Sequence, residues 1–306
     1  MVSDLMLTGT ELEFIMAVFC SLEVTMNCRY LTLDNITVFK QYLCYEEKSA
    51  ATKEKYLRSV RAFHSWSGGL PITKETVTAW KCSLVEQKYA PSTINAMLAA
   101  LNCLFTFMGW TEYCTKYLKV QHQMFRESSR ELTKEEYARL VSFANHCGNE
   151  KLALLMETIC STGIRVSEVQ YITVETISAG KAEIHLKGKI RTILIPTKLC
   201  RKLLKYAKKQ RIASGAIFCA GSGKPMSRYQ IWAAMKKICK TAGVDPHKVY
   251  PHNLRHLFAI AYYKVYKDIA RLADILGHSS IETTRIYLLT SGSEHRQQME
   301  RLGLIA

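Results

Sequence analysis

The chain is short of acid. Against 42 lysines and arginines it carries 26 aspartates and glutamates, a formal net charge of +16 over 306 residues. In an otherwise globular composition that balance points first to a nucleic-acid partner, ahead of an acidic protein or an anionic membrane. Clustered carboxylates of the kind that hold a pair of metal ions are missing, as is the G-x-x-x-x-G-K-[ST] loop that cradles a nucleotide. Two-metal and ATP-driven chemistry are therefore set aside. Long hydrophobic runs are also lacking. Phe14–Cys20 is far too short to cross a bilayer, and Glu11 and Glu13 precede it where an export signal would be basic. C-x-x-C is absent, and the nearest pair among 11 cysteines, Cys20 and Cys28, stands eight apart. Most of the cysteines lie in apolar runs, as Cys103 does, and are expected to be reduced core residues of a cytoplasmic protein.

What remains is ample for two ordinary cores, with 48% hydrophobic residues. Residues 1–30 form an extension in which a short helix around Glu11–Cys20 is the only element suggested. From 31 to 118 the period is helical. Tyr56, Leu57, Val60, Phe63 and Trp66 share one face of a helix over Ala51–Trp66, a second helix covers Thr73–Gln87, and a third opens at Pro91 and ends near Gly109. An all-helical domain is expected here, its aromatic stripe serving as core. Residues 119–130 are polar and aperiodic and are expected to be a linker. The rest, 131–306, starts with Thr133 capping a helix over Glu136. It is expected to be α+β, because Glu183–Leu186 and Arg191–Ile195 flank the turn Lys187-Gly188-Lys189-Ile190 as a small antiparallel hairpin. Residues 181–211 hold eleven Lys/Arg against one acid, Glu183. Part of that run is a solvated helix face, and part is suited to tracking phosphates.

Four short segments carry chemistry. Thr162-Gly163-Ile164-Arg165-Val166-Ser167-Glu168 sets an arginine at a turn, with Glu168 placed to brace or cap it. The hairpin follows. His252-Asn253-Leu254-Arg255-His256 then puts an imidazole and a guanidinium three apart on one side of a helix, a fork suited to an oxyanion. Leu276-Gly277-His278 comes next, and Tyr287 stands nine residues beyond His278. A phenol with an ordinary pKa of about 10 is a poor nucleophile, but nearby cations favour its ionised form and a phosphorane-like transition state. His252 and His256 lack the glutamate that a helical zinc pair of the metalloprotease type requires, so no metal is expected. Singly, each residue has a plain structural explanation; the order of all four segments does not.

In that order the chain resembles the tyrosine recombinases of the phage-integrase type, closely over 131–290 and more loosely over 30–118. The resemblance implies a mainly α, two-domain protein that clamps DNA with its helical domain and cuts it with the other. It implies Arg165, His252, Arg255 and His278 as catalytic residues, Tyr287 as the nucleophile forming a 3′-phosphotyrosyl link, and Lys187 as general acid for the 5′-hydroxyl. The spacing from Lys187 to Pro196 is nine, one more than many relatives have, so Lys189 competes for that role. Lys189 and Arg191 are otherwise expected to contact DNA. Double-stranded DNA and a tetramer of the same chain are the implied partners, no cofactor is needed, and the expected location is the cytoplasm, at the nucleoid.

Mobile-element integrase is the reading preferred. A chromosome-dimer resolvase, an invertase, a type IB topoisomerase and a catalytically silent DNA-binding accessory remain as alternatives. A final helix over Glu294–Arg301, presenting Met299 and Leu302, is expected to dock on a neighbouring protomer, with docking on its own domain as the other option.

Overall fold

The computed structural model describes residues 29–119, 128–186 and 189–288, together with 296 and 299–302. The chain divides into two units, Met1–His122 and Gln123–Ala306.

The described part of the first unit is four helices and a short 3-10 turn. Thr32 and Asn35 satisfy each other's backbone N–H groups and start α1 (Leu33–Tyr45). Ser49 caps α2 (Ala50–Ser67), which ends at the left-handed Gly68. Thr73 caps α3 (Lys74–Glu86), and Pro91 opens α4 (Pro91–Phe107), where its missing N–H is one of the orphans anyway. The apolar stripes meet in a core of Phe39, Leu43, Val60, Phe63, Trp80, Leu101 and Phe105. Phe63 lies at its centre, its ring 5.1 Å from Trp80 and edge-on to Phe105. The aromatic stripe is core, as its spacing predicts, although Trp66 at its end is 38% exposed. The helix suggested around Glu11–Cys20 lies outside the described residues, as does most of the linker stretch.

The second unit is built on α6 (Glu150–Thr162), which is apolar nearly all round and buried on that account, with Leu152, Leu155, Met156 and Ile159 in the core. Before it runs α5 (Lys134–His146), started by the Thr133–Glu136 capping box that the sequence predicts. A 3-10 turn (Val166–Tyr171) and α7 (Val174–Ala179) lead into β1 (Lys181–Leu186) and β2 (Lys189–Leu194). These strands pair antiparallel, from Lys181↔Leu194 to Leu186↔Lys189. Lys189 and Ile190, read from sequence as part of a four-residue turn, therefore belong to β2. Only 187 and 188, outside the described residues, separate the strands.

There follow α8 (Thr197–Lys209), α9 (Arg228–Cys239), α10 (Pro251–Tyr266), α11 (Ile269–Leu276), α12 (Ile281–Arg285) and a 3-10 turn (Ile286–Leu288). Among the described residues the architecture is thus mainly α, with helices in the first unit and helices plus a small antiparallel hairpin in the second. Among the described residues no helix is long and apolar enough to cross a membrane. The described cysteines are free, as expected, but most are not core residues. Of the nine described, only Cys200 and Cys239 are buried, while Cys44, Cys82 and Cys147 are exposed. Cys44 and Cys82 lie on the open sides of α1 and α3, and Cys147 follows the last residue of α5.

Candidate active site

Helix α10 begins with Pro251, so its first turn is preset, and one turn in it carries Arg255 into the interior. Arg255 is 2% exposed. A guanidinium so buried is costly unless its donors are met. Its Nη1 donates to the Gly163 carbonyl at 2.5 Å, and its Nη2 donates to the Leu276 carbonyl at 2.7 Å and to His278 Nε2 at 2.9 Å. Gly163 and Leu276 end α6 and α11, where helix carbonyls lack intrahelical partners and the macrodipole is negative. A cation suits both. Burial, with the Arg165 charge beside it, still pushes the guanidinium pKa down to about 10, while the Tyr287 hydroxyl works the other way. Gly163 is required for close approach as well as for its φ of +65°: a Cβ there would stand 2.5 Å from Phe258 Cδ1.

The end of α11 holds more than one arginine. The carbonyls of Ile275, Leu276 and Gly277 accept respectively from Arg191 Nη2 at 2.5 Å, Arg255 Nη2 at 2.7 Å and Arg165 Nη2 at 3.0 Å. Consecutive free carbonyls at a helix C-terminus thus do work that carboxylates would otherwise do. They fix guanidinium positions without cancelling charge. One carboxylate does take part. Glu168, 1% exposed, accepts from Arg165 Nη1 at 2.9 Å through Oε1 and from Arg191 Nη1 at 2.8 Å through Oε2. Its Oε2 also accepts from the Arg165 backbone N–H at 2.8 Å, so Glu168 both braces the side chain and caps the 3-10 turn.

The imidazoles come from two places. His252 stands exposed in the first turn of α10, and His278 follows the left-handed Gly277. His278 Nε2 accepts from Arg255, which leaves the ring proton on Nδ1; that N–H donates to Thr284 Oγ1 at 2.8 Å. Thr284 is wholly buried. Burial first, then the charges of Arg255, Arg165 and Arg191, push His278 down to about 4, so it is neutral at pH 7. Although His252 is exposed as a residue, partial desolvation lowers its pKa first, and the charges of Arg255 and Arg165 lower it further.

Tyr287, in the turn after α12, is 3% exposed and packs with Ala259, Leu272 and Leu276. Its ring stacks 6.0 Å from that of His278 and meets the edge of His256 at 4.9 Å. His256 Nδ1 lies 4.0 Å from Glu131 Oε1.

The structure therefore brings Arg165, Arg255, His278 and Tyr287 together, with His252 on the same helix end. Lys187 lies outside the described residues. Lys189 is placed by its backbone at the start of β2. Arg191, expected to face DNA, turns inward, its side chain 12% exposed and held by Glu168 and Ile275. Sequence reasoning did not find Thr284 or the carbonyls of Gly163, Ile275, Leu276 and Gly277. Backbone acceptors leave no trace in residue identity. The glycines at 163 and 277 were the available sign that a helix ends there.

The model of the phage integrase family matches residues 130–293, and that of the phage integrase N-terminal SAM-like domain matches residues 36–112. Tyrosine recombinase XerA of Pyrococcus furiosus is 28% identical over 275 residues, covering 87% of this chain and 93% of the relative. Two solved structures share the fold. A lambda integrase tetramer bound to a Holliday junction superposes with a TM-score of 0.70 at 20% identity, over 87% of this chain and 80% of that one. The Tn1549 transposon integrase in complex with transposon right end DNA does so at 0.66 and 16%, over 88% and 99%.

Proposed function

The chain belongs to the phage integrase family, and from that membership we propose that Arg165, His252, Arg255 and His278 activate a DNA phosphate for attack by Tyr287. The protein is a tyrosine-type site-specific recombinase that breaks and rejoins DNA. The observation that carries the site assignment is the packing of Tyr287 against His278, whose ring accepts from the same buried arginine that binds the ends of two helices.

In this reading the Tyr287 oxygen attacks the scissile phosphorus and a 3′-phosphotyrosyl bond forms as the bond to the 5′ oxygen breaks. His252, its pKa lowered by desolvation and by the Arg255 and Arg165 charges, takes the phenol proton. A lysine of the hairpin, Lys187 or else Lys189, protonates the leaving oxygen. Arg165 and Arg255 stabilise the charge that develops on the non-bridging oxygens, already oriented by carbonyls before DNA arrives. A freed 5′-hydroxyl of a second duplex reverses the step, so phosphate bond energy is conserved and no nucleotide is consumed.

The excess of basic charge supports double-stranded DNA as the partner. A tetramer of this chain on paired sites, acting in the cytoplasm at the nucleoid for a mobile element, is the finer proposal.

The test uses a nicked substrate that traps the covalent adduct. Tyr287→Phe is expected to bind DNA as the parent does and to form no adduct; an adduct in that variant would falsify the assignment. Replacing the 5′ oxygen by sulfur, a leaving group that needs little protonation, should rescue whichever of Lys187→Ala or Lys189→Ala removes the general acid, from an expected loss of about 10²–10⁴-fold. Sequencing the trapped DNA separates mobile-element ends from chromosomal sites, and relaxation of plasmids without any defined site would point to a topoisomerase instead.

A further inference from the structure

Arg191 has no role in the chemistry above, yet it is among the most tightly held cations of the second unit. It leaves β2 opposite Ile184, passes beneath Gly277 and ends in a fork, with Nη1 on Glu168 at 2.8 Å and Nη2 on the Ile275 carbonyl at 2.5 Å. The passage is close enough to require a residue without Cβ. A Cβ at position 277 would stand 2.4 Å from Arg191 Cδ and 2.8 Å from Nε. Gly277 thus answers to two demands, the left-handed end of α11 and the thickness of an arginine.

We propose that Arg191 is a positioning residue, which locks the lysine-bearing hairpin to the Arg165–Glu168 pair and to the Gly277–His278 turn. The inference rests on the site assigned above. Only Ile190 separates Lys189 from Arg191 on the same strand, and the hairpin has no other charged side chain turned inward among the described residues whose side chains are placed. Among the described residues no other side chain joins β2 to both the arginine brace and the end of α11. Lys181, at the far end of β1, pairs with Glu183 on the surface among the described residues. Arg191 also shares its carboxylate with Arg165, so one buried Glu168 sets the spacing between the hairpin and a catalytic guanidinium. A forked donor is needed for this. Its two nitrogens reach acceptors on different elements across the width of the fork, whereas an ammonium would have to serve both from one point.

Loss of Arg191 should act unevenly. Arg165 would keep its contacts to Glu168 and Gly277, whereas β2 would lose both anchors. The lysine should therefore drift while the arginines stay. Displacement of a reacting group by about 1 Å is worth on the order of 10²-fold in rate.

The experiment measures DNA binding and adduct formation for Arg191→Met and Arg191→Lys, on substrates with a 5′ oxygen and a 5′ sulfur leaving group. Arg191→Met is expected to bind DNA within about threefold of the parent, to cleave the oxygen substrate about 10²-fold more slowly, and to recover most of that loss with sulfur. Arg191→Lys, which keeps the charge beside Glu168 but spans only one acceptor, is expected to lose about tenfold and to be rescued in the same way; it carries the test if the methionine variant does not fold. Arg165→Ala is the control and should gain nothing from sulfur. Parental cleavage of the oxygen substrate, a loss that sulfur does not restore, or weakened binding with a salt slope lower by about one would each overturn the proposal, the last by making Arg191 a phosphate contact. An adduct surviving Tyr287→Phe would overturn the site assignment instead, whatever the Arg191 variants do.

Discussion

The two units bury different things. Among the described residues, the polar side chains buried in the first unit are Ser59, Ser67 and Thr115, and none carries charge. The second buries Glu168 and Arg255 along with Asn253, Thr158, Thr162 and Thr284. Hydrophobic stripes alone account for the first unit's core, with Phe39, Phe63, Trp80 and Phe105 filling it. The second must satisfy ions in its interior, and it does so at helix ends. Isolated burial of a guanidinium costs several kcal/mol, so each arginine of the site is tied to carbonyls that their own helices leave unpaired. Cations that are to stabilise a developing negative charge, the role proposed for those of the second unit, are best fixed in advance, where water would otherwise reorganise around them.

The largest break in this contrast should come from Arg255→Met. It removes the ion from the second unit's interior and leaves the Gly163 and Leu276 carbonyls unmet, so cleavage is expected to fall by about 10²–10³-fold or more. Single-turnover adduct formation at saturating DNA reads the effect; a loss confined to DNA affinity would contradict it.

Trp80→Ala tests the other side. It should destabilise the first unit by about 3–5 kcal/mol through cavity formation, with chemistry on bound DNA untouched. Denaturant unfolding beside single-turnover cleavage separates the two, and the contrast fails if cleavage on bound DNA falls in step with stability.

A milder probe is pH. His278 binds its proton less readily folded than unfolded, with a folded pKa of about 4 against an ordinary 6.5. Between those values the unfolded chain holds more protons, so stability is complete above about pH 6.5 and declines as pH falls toward 4. His252, lowered in the same direction, adds to the slope. Protonated His278 could no longer accept from Arg255, so the decline should flatten in His278→Gln. An equal slope in that variant, read as melting temperature against pH, would remove His278 from the account.

The smallest effect on the isolated chain is expected from truncation after Ser291. Met299 and Leu302 are 58% and 65% exposed, so they contribute little to the chain's own core. The melting temperature should shift by less than about 2 °C, the size of a sub-kcal/mol change in a protein this large. Synapsis of two sites, followed by gel shift, should be lost if the tail docks on a neighbouring protomer. A larger fall in melting temperature with synapsis intact would place the docking within one chain.

Much of the molecule was legible in the residues. The helix start at Thr133 was read as a cap, and the structure adds Thr32, Ser49 and Thr73 as caps of the same kind, where a side-chain oxygen meets an orphan N–H three residues on. The hairpin was legible from β-branched residues around a basic turn, and Glu168 from its spacing to Arg165. The strand register was not. It puts Lys189 and Ile190 into β2, since pairing with Leu186 and His185 is settled by the partner strand rather than by local propensity. Arg191 shows the same limit more sharply. In a run of basic residues it looks like any cation facing phosphate, yet it is buried against Glu168 and Ile275.

By itself, then, the sequence determined which elements form and which functional groups are supplied: caps, apolar periods, and an ordered set of arginines, histidines and one tyrosine. These depend on side-chain identity and on spacings of a few residues. Tertiary structure alone decided which of those cations face inward and what holds them. The acceptors are backbone carbonyls of Gly163, Ile275, Leu276 and Gly277, common to every residue type, and they become a binding surface for arginine only when two helices end beside α10.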